Sequence, residues 1–297
     1  MEIKPKILVT GANGQLGQEL RDLALLNSTF EFVFFSKEDL SIQHVEELRN
    51  CFKKIQPQFC INCAAYTNVD KAEQKKEIAF EINAIAVGLL ATVCKEFSTK
   101  LIHISTDYVF DGTASIPYKE DTAPNPQSIY GDSKLEGEKL ALKINTSTII
   151  IRTSWVYSVY GKNFVKTMLR LMREKTEIAV VNDQVGSPTC ATDLAELLLQ
   201  IIASIHLYPE KKFSGIYNFS NNGVVSWYDF ATAIKEISNS TCPLTPIATV
   251  EFPTAAIRPA YSVLDKEKIK TVFGIELKDW KKSLQTCIEK INFKLDS

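Results

Sequence analysis

Apolar residues along the chain fall into short unbroken runs separated by stretches with helical spacing. Residues 6–10, KILVT, form the first run, and Leu16, Leu20, Leu23 and Leu26 follow at intervals of three and four. Unbroken runs recur at Phe32–Phe35, Phe59–Ala64, Leu101–Ser105 and Thr148–Arg152, each reading as a strand buried on both faces. Between them, helical spacing runs from Ser41, the expected N-cap, through Val45, Leu48 and Phe52. It returns from Val69 to Phe97 with a break near Asn83, and again from Ser128 to about Leu142. This alternation predicts an α/β fold: a Rossmann-type doubly wound parallel sheet with right-handed crossovers and helices on both faces.

After Arg152 the alternation loosens. Helices are expected at Asn163–Arg173, Asp193–Ser204 and Trp227–Ile237, and a last one through Trp280, Leu284, Cys287 and Ile291. Ile178–Val181 and Ile216–Phe219 read as strands, and the segments around Pro188, Pro243–Pro246 and Pro253–Pro259 as loops. The expected organisation is a dinucleotide-binding core over residues 1–154 and a smaller C-terminal substrate-binding lobe over 155–297. About 193–219 returns to the core. A cleft between the two opens above the C-terminal strand ends, where open α/β sheets bind ligands.

Composition narrows the field. A chain of 297 residues can bury a full core, and 34 basic against 35 acidic residues leave a net charge of -1, so no nucleic-acid-binding surface is expected. No stretch reads as a secretion signal or a membrane span, which makes the cytoplasm the expected location. The seven cysteines are scattered. Cys60 and Cys63 have C-x-x-C spacing, but they lie in an apolar run with no second pair or nearby histidine, so all seven are expected reduced and structural.

The first turn carries chemistry. Gly11-Ala12-Asn13-Gly14-Gln15-Leu16-Gly17 stands between the first strand and the first helix, the context a dinucleotide site requires. Gly11 permits the tight turn, Gly14 lets backbone approach a pyrophosphate, and Gly17 lets the helix pack closely on the sheet. The helix N-terminus offers free N–H groups to the phosphates. After the second strand, Asp39-Leu40 is placed to border an adenine. Ser36 and Lys37 suit a 2′-phosphate and Glu38 opposes one, a balance that favours NADPH with NADH also accepted. Ala64, Ala65 and Tyr66 follow the third strand, where small residues let the cofactor pass close to backbone. Asn83 is either a cofactor contact or a helix-packing hydrogen bond.

Tyr130 and Lys134 are four residues apart on a predicted helix, so both project from one face. A tyrosine ordinarily titrates near 10, and an adjacent ammonium that stabilises the phenolate brings it toward the working range as a proton donor. Lys134 is also placed to bond a nicotinamide ribose hydroxyl. Thr106, at the end of the fourth strand, offers a hydroxyl to a carbonyl oxygen that gains negative charge. His103, inside an apolar strand, reads as structural.

Together these segments resemble the extended short-chain dehydrogenase/reductase superfamily, and within it the dTDP-4-dehydrorhamnose reductase family. The likeness spans essentially the whole chain. It rests on Gly11–Gly17, on Asn62-Cys63-Ala64-Ala65-Tyr66-Thr67-Asn68-Val69-Asp70 and on Ser105-Thr106-Asp107-Tyr108-Val109-Phe110-Asp111-Gly112. It continues in Tyr130-Gly131-Asp132-Ser133-Lys134, Arg152-Thr153-Ser154-Trp155, Asp183-Gln184-Val185-Gly186-Ser187-Pro188 and Arg258-Pro259. The resemblance implies reduction of the C4 ketone of dTDP-4-dehydro-L-rhamnose, with Thr106, Tyr130 and Lys134 as catalytic residues. Val69, Tyr108, Trp155 and Arg258 then border the sugar nucleotide. Some family members dimerise through magnesium held by glutamates. Glu19 matches one such position, but Thr192 falls at the other, so no metal is expected, and a monomer or weak homodimer is. The enzymatic rival is a nucleotide-sugar epimerase or dehydratase. The latter commonly carries Asp-Glu after the threonine, where this chain has Asp107-Tyr108. A non-catalytic regulatory subunit is the rival from another class.

Overall fold

The computed structural model describes residues 4–296. Five parallel strands come from the first half: β1 (Lys6–Thr10), β2 (Glu31–Phe35), β3 (Phe59–Asn62), β4 (Lys100–Thr106) and β5 (Ile149–Thr153). Four short strands intervene, β6 (Val156–Tyr157), β7 (Ile178–Val181), β8 (Val185–Gly186) and β9 (Thr189–Cys190). Then β10 (Gly215–Phe219) returns to pair with β5 as the sixth strand, and β11 (Val225–Ser226) pairs with β8. The sheet order β2-β1-β3-β4-β5-β10 reverses direction between β1 and β3, and that switch point opens the crevice for a ligand.

Alternation along β1 shows why both sheet faces are covered. Ile7 and Val9 face α1 (Gln15–Ala24) and α8 (Ala191–Leu207), meeting Leu16, Leu20, Leu194 and Leu198. Leu8 points the other way, into a cluster with Leu48 and Phe52 of α2 (Val45–Ile55) and Leu90 of α5 (Ala86–Glu96). Ala141 of α6 (Ile129–Ile144) completes that face. The second lobe has its own core, in which Val165, Met168 and Leu169 of α7 (Phe164–Glu174) meet Phe230 and Ile234 of α9 (Trp227–Ile237). The short helix α10 (Glu267–Phe273) rejoins the first core through Ile269. Leu284 and Ile288 of α11 (Trp280–Asp296) close the second.

Several expectations are corrected. Ser41 does not cap α2; its hydroxyl accepts from the Gln43 N–H, and the helix begins four residues later, at Val45, without a side-chain cap. The break near Asn83 is a π-helical turn, Glu81–Ile85, that follows the short helices α3 (Val69–Gln74) and α4 (Lys76–Phe80). Pro243–Pro246 is not all loop. Leu244–Ile247 forms a strand, β12, which pairs in parallel with β7 and has no other partner, an edge where Pro246 is tolerated. Finally, Lys76–Glu96 is 21 residues long and contains an 18-residue window of mean hydropathy 1.7, long and apolar enough by composition to cross a membrane. Just over half of its apolar window is buried, with Val87, Leu90 and Cys94 packed in the core beneath the sheet.

Candidate active site

A cavity of about 600 Å³ lies above the C-terminal ends of β1, β3, β4 and β5. Each strand delivers one wall. Gly14, Gln15 and Leu16 follow β1, Cys63 and Ala65 follow β3, Ser105–Tyr108 end β4, and Thr153 and Trp155 end β5. Tyr130 and Lys134 enter from α6, and Gly161 and Lys162 from the second lobe. A larger hollow, about 690 Å³, opens at the opposite end of the sheet beside Lys4, Gln58, Lys100 and Lys211. His206 and Glu210 also line it, but it lies at the strand ends that open α/β sheets do not use for ligands.

The glycine turn is built for close approach. Gly11 has φ +67°, and a Cβ there would sit 2.6 Å from the Ala64 nitrogen. A Cβ on Gly17 would sit 2.6 Å from the Gly11 carbonyl. Gly14 caps α1 without any side-chain acceptor, so the first N–H groups of that helix remain free for an anion. Gln15 is held from across the cleft, where its Oε1 accepts from Asn163 Nδ2 at 2.9 Å, and Asn163 in turn caps α7. These features fit a dinucleotide pyrophosphate. At the adenine end, Asp39 turns back: its carboxylate accepts from the Ser36 N–H at 3.0 Å, and Leu40 spends its side chain in the core.

Of the acid–base residues, Lys134 is buried, while Tyr130 is half-buried at the cavity wall. The Ser128 hydroxyl caps α6 by accepting from the Gly131 N–H, which fixes the register that sets Tyr130 and Lys134 on the cavity side. Burial pushes the Tyr130 phenol up to about 12, while the Thr106 hydroxyl beside it works the other way. Thr106 donates to Asp107 at 3.0 Å and accepts from the Tyr108 N–H. Burial raises the Asp107 carboxyl to about 6, partly offset by the Ser262 and Thr106 hydroxyls. Burial also lowers the Lys134 ammonium to about 8, with Glu138 opposing.

One expectation fails here. Lys134 does not lower the phenol in this structure, because its Nζ is turned to the Ile104 carbonyl at 2.6 Å and to His103 Nε2 at 3.1 Å. His103 is therefore a neighbour of the site, and its place inside an apolar strand concealed that.

Other anticipated residues divide. Val69, Tyr108 and Trp155 line the cavity; the Tyr108 and Tyr130 rings meet edge to face at 5.6 Å, and Trp155 stacks on Trp227 at 3.6 Å. Asn83 lies deeper. Its amide accepts from the Tyr66 N–H and donates to the Tyr66 carbonyl and to Ser133, so it clamps the backbone at Tyr66. Arg258 is engaged by both oxygens of Asp70, at 3.1 and 2.6 Å, beside a separate hollow. The Glu19 carboxylate accepts from the Ser158 and Thr192 hydroxyls, and no group of three metal-ligating side chains occurs among the described residues.

Comparison with known proteins places these features in context. A family model described as "RmlD substrate binding domain" matches residues 5–293. The dTDP-4-dehydrorhamnose reductase of Aggregatibacter actinomycetemcomitans is 41% identical over 286 residues, covering 94% of this chain and 97% of its own. Among solved structures, a dTDP-4-dehydrorhamnose reductase from Clostridium acetobutylicum superposes with TM-score 0.91 at 40% identity, covering 97% of this chain and 99% of its own. A Bacillus anthracis reductase in complex with NADP matches with TM-score 0.91 at 37% identity, covering 97% of this chain and 100% of its own.

Proposed function

Since the chain belongs to the dTDP-4-dehydrorhamnose reductase family, we infer that it reduces the C4 ketone of dTDP-4-dehydro-L-rhamnose to dTDP-L-rhamnose with NAD(P)H. The observation that carries this reading is one cavity that joins the glycine turn to Thr106, Tyr130 and Lys134. The bound reduced dinucleotide supplies the hydride. The protein supplies the proton and the surroundings that favour its transfer.

In the reducing direction the acid must begin protonated. A phenol raised to about 12 by burial keeps its proton at neutral pH, so Tyr130 is loaded before the substrate arrives. As the C4 oxygen becomes an alkoxide, the Tyr130 Oη–H bond breaks and the proton passes to that oxygen. Thr106 donates to the same oxygen, and a protonated Lys134 swung to the phenolate stabilises the charge left on Tyr130. Val69, Tyr108 and Trp155 form the apolar and aromatic border for the sugar nucleotide. Arg258, tied to Asp70, supports that border from behind.

NADPH is the preferred donor in this reading. One oxygen of the Asp39 carboxylate already accepts from the Ser36 N–H, which weakens its grip on a ribose 2′-hydroxyl, while Lys37 and Arg21 supply positive charge nearby. A lower KM for NADH than for NADPH would overturn that preference. The cytoplasm is the proposed location, in keeping with seven free cysteines. With Glu19 sealed by hydroxyls, the proposed assembly is a monomer or a weak homodimer that needs no metal.

The test of the main reading is Tyr130→Phe. Turnover of dTDP-4-dehydro-L-rhamnose, followed by NADPH absorbance, is expected to fall about 10²- to 10⁴-fold with NADPH affinity retained. A near-normal rate removes Tyr130 from the role of acid.

A further inference from the structure

Behind the cavity a buried line of polar side chains crosses three neighbouring strands. Thr10 of β1 donates to Asn62 Oδ1 at 2.6 Å, Asn62 of β3 meets His103 Nδ1 at 2.9 Å, and His103 of β4 meets Lys134 Nζ at 3.1 Å. All four residues are at most 1% exposed. Strand register aligns them, since Thr10 lies opposite Asn62 and Asn62 opposite His103. Nothing in the reduction chemistry requires such a line, and four dry polar groups are costly unless every donor finds an acceptor.

The donors and acceptors can be assigned from one fixed point. The Ala64 backbone N–H is a donor and nothing else, and it points at Asn62 Oδ1 at 3.2 Å. Flipping the amide would set two donors against each other, so Oδ1 stays where it is and Nδ2 faces His103. Nδ2 donates, hence Nδ1 of His103 accepts and the ring proton sits on Nε2. The Nε2–H then points at Lys134 Nζ. An ammonium has no lone pair to accept it, whereas a neutral amine accepts from Nε2–H and still donates to the Ile104 carbonyl.

We propose that His103 is a positioning residue for Lys134: locked by Asn62 with its proton on Nε2, it holds the neutral-amine form of the lysine against β4, and protonation of that amine releases it toward Tyr130. The event is balanced. The amine gains one proton from solvent, becomes a donor only, and meets a second donor at 3.1 Å. It then turns to acceptors in the cavity, the Tyr130 oxygen and a cofactor hydroxyl. His103 itself stays neutral, because burial and the nearby lysine hold its pKa well below the ordinary histidine value. The other charged or titratable groups around the line are Glu138 and Tyr130 on α6, Arg152 on β5 paired with Glu138, Asp107 beyond Thr106, and Cys63 at the end of β3. Glu138 favours the charged lysine and His103 the neutral one, so the two set the balance between them.

This inference rests on the assignment of Lys134 to the catalytic group, and its test separates the two. Nitrogen-15 NMR of histidine-labelled protein, with and without NADP⁺, reads the tautomer of His103 directly. A protonated Nε2 and bare Nδ1 at alkaline pH are expected, and a protonated Nδ1 would overturn the proposal whatever the enzyme's rate. The second arm is the pH profile of kcat in His103→Gln and Asn62→Asp. The glutamine amide oxygen of the first variant can accept from an ammonium. The carboxylate of the second would draw the ring proton to Nδ1 and leave Nε2 as an acceptor. Either change favours the charged lysine, so the alkaline limb is expected to move up by roughly half to one pH unit, the worth of one hydrogen bond. A lower plateau with an unmoved limb marks a merely structural role and sinks the proposal. If neither variant folds, the wild-type tautomer decides alone. Full turnover in Tyr130→Phe would count against the catalytic assignment and leave the tautomer result standing.

Discussion

Gly131→Ala tests whether the tight seat of α6 sets the geometry of the acid. This glycine follows Tyr130 directly and needs no unusual backbone angle, so its requirement is purely spatial. A Cβ at this position would lie 2.1 Å from the Tyr108 carbonyl oxygen and 3.1 Å from Pro126 Cβ. A carbon and a carbonyl oxygen rest at about 3.3 Å, so helix and turn must part by about 1 Å. The obstacle is backbone, which cannot swing aside as a flexible side chain would. Tyr130 rides on the displaced helix while Thr106 stays on β4. A misplacement of about 1 Å in a reacting group costs on the order of 10²-fold in rate, or about 2.7 kcal/mol. Overpacking costs roughly 1–3 kcal/mol in stability, which for a chain of this length lowers Tm by about 2–5 °C. The assay is kcat by NADPH consumption, paired with a cofactor titration, because the glycine turn lies on another wall and should bind as before. A kcat within about threefold of the parent would refute the reasoning.

Glu138→Ala should be the most damaging single change on α6. It leaves the Arg152 guanidinium, 1% exposed and bonded to both Glu138 oxygens, buried without its counter-ion. The expected loss is about 3–5 kcal/mol, read as a fall in Tm of about 5–8 °C; a fall under about 2 °C would mean that the pair contributes little. Asp107→Asn should change how stability depends on pH. Burial raises this carboxyl from 3.8 to about 6, so the folded chain holds a proton there that the unfolded chain releases. Its contribution is complete below about pH 4 and is lost as pH rises through about 6. The asparagine variant should lack that decline in a Tm series from pH 4 to 7, and an unchanged slope would assign the decline to other groups.

Much of the site was legible because its signals are local. Strand β1, the glycines after it and helix α1 adjoin in sequence, and the i, i+4 spacing of Tyr130 and Lys134 is enough to put both on one face. What that spacing cannot tell is where the lysine's last atom points. The answer depends on His103 and Ile104, some 30 residues earlier and joined to Lys134 only by folding. Asn83 was ambiguous for the same reason, because its two partners, Tyr66 and Ser133, lie 17 and 50 residues away. The π-turn around it left only a break in periodicity, since one inserted residue shifts a helical stripe without changing its composition. Strand β12 was hidden by its prolines, which read as a loop until the edge that accommodates Pro246 is known. The apolar run of Ile216–Phe219 marked β10 as a strand, whereas its pairing with β5 is set only in the folded sheet.

The indole pair at the cavity wall has an optical consequence. The chain's three tryptophans are Trp155, Trp227 and Trp280; the first two stack at 3.6 Å with planes 8° apart, and the third stands edge-on to Phe230 beneath them. Indole emission therefore originates wholly from the second lobe, and the six-stranded sheet carries no indole. Reduced nicotinamide absorbs where indole emits, so a dinucleotide seated beside Trp155 will drain that light. A single fluorimeter trace can thus follow filling of the cleft, while melting of the sheet must be followed by another probe.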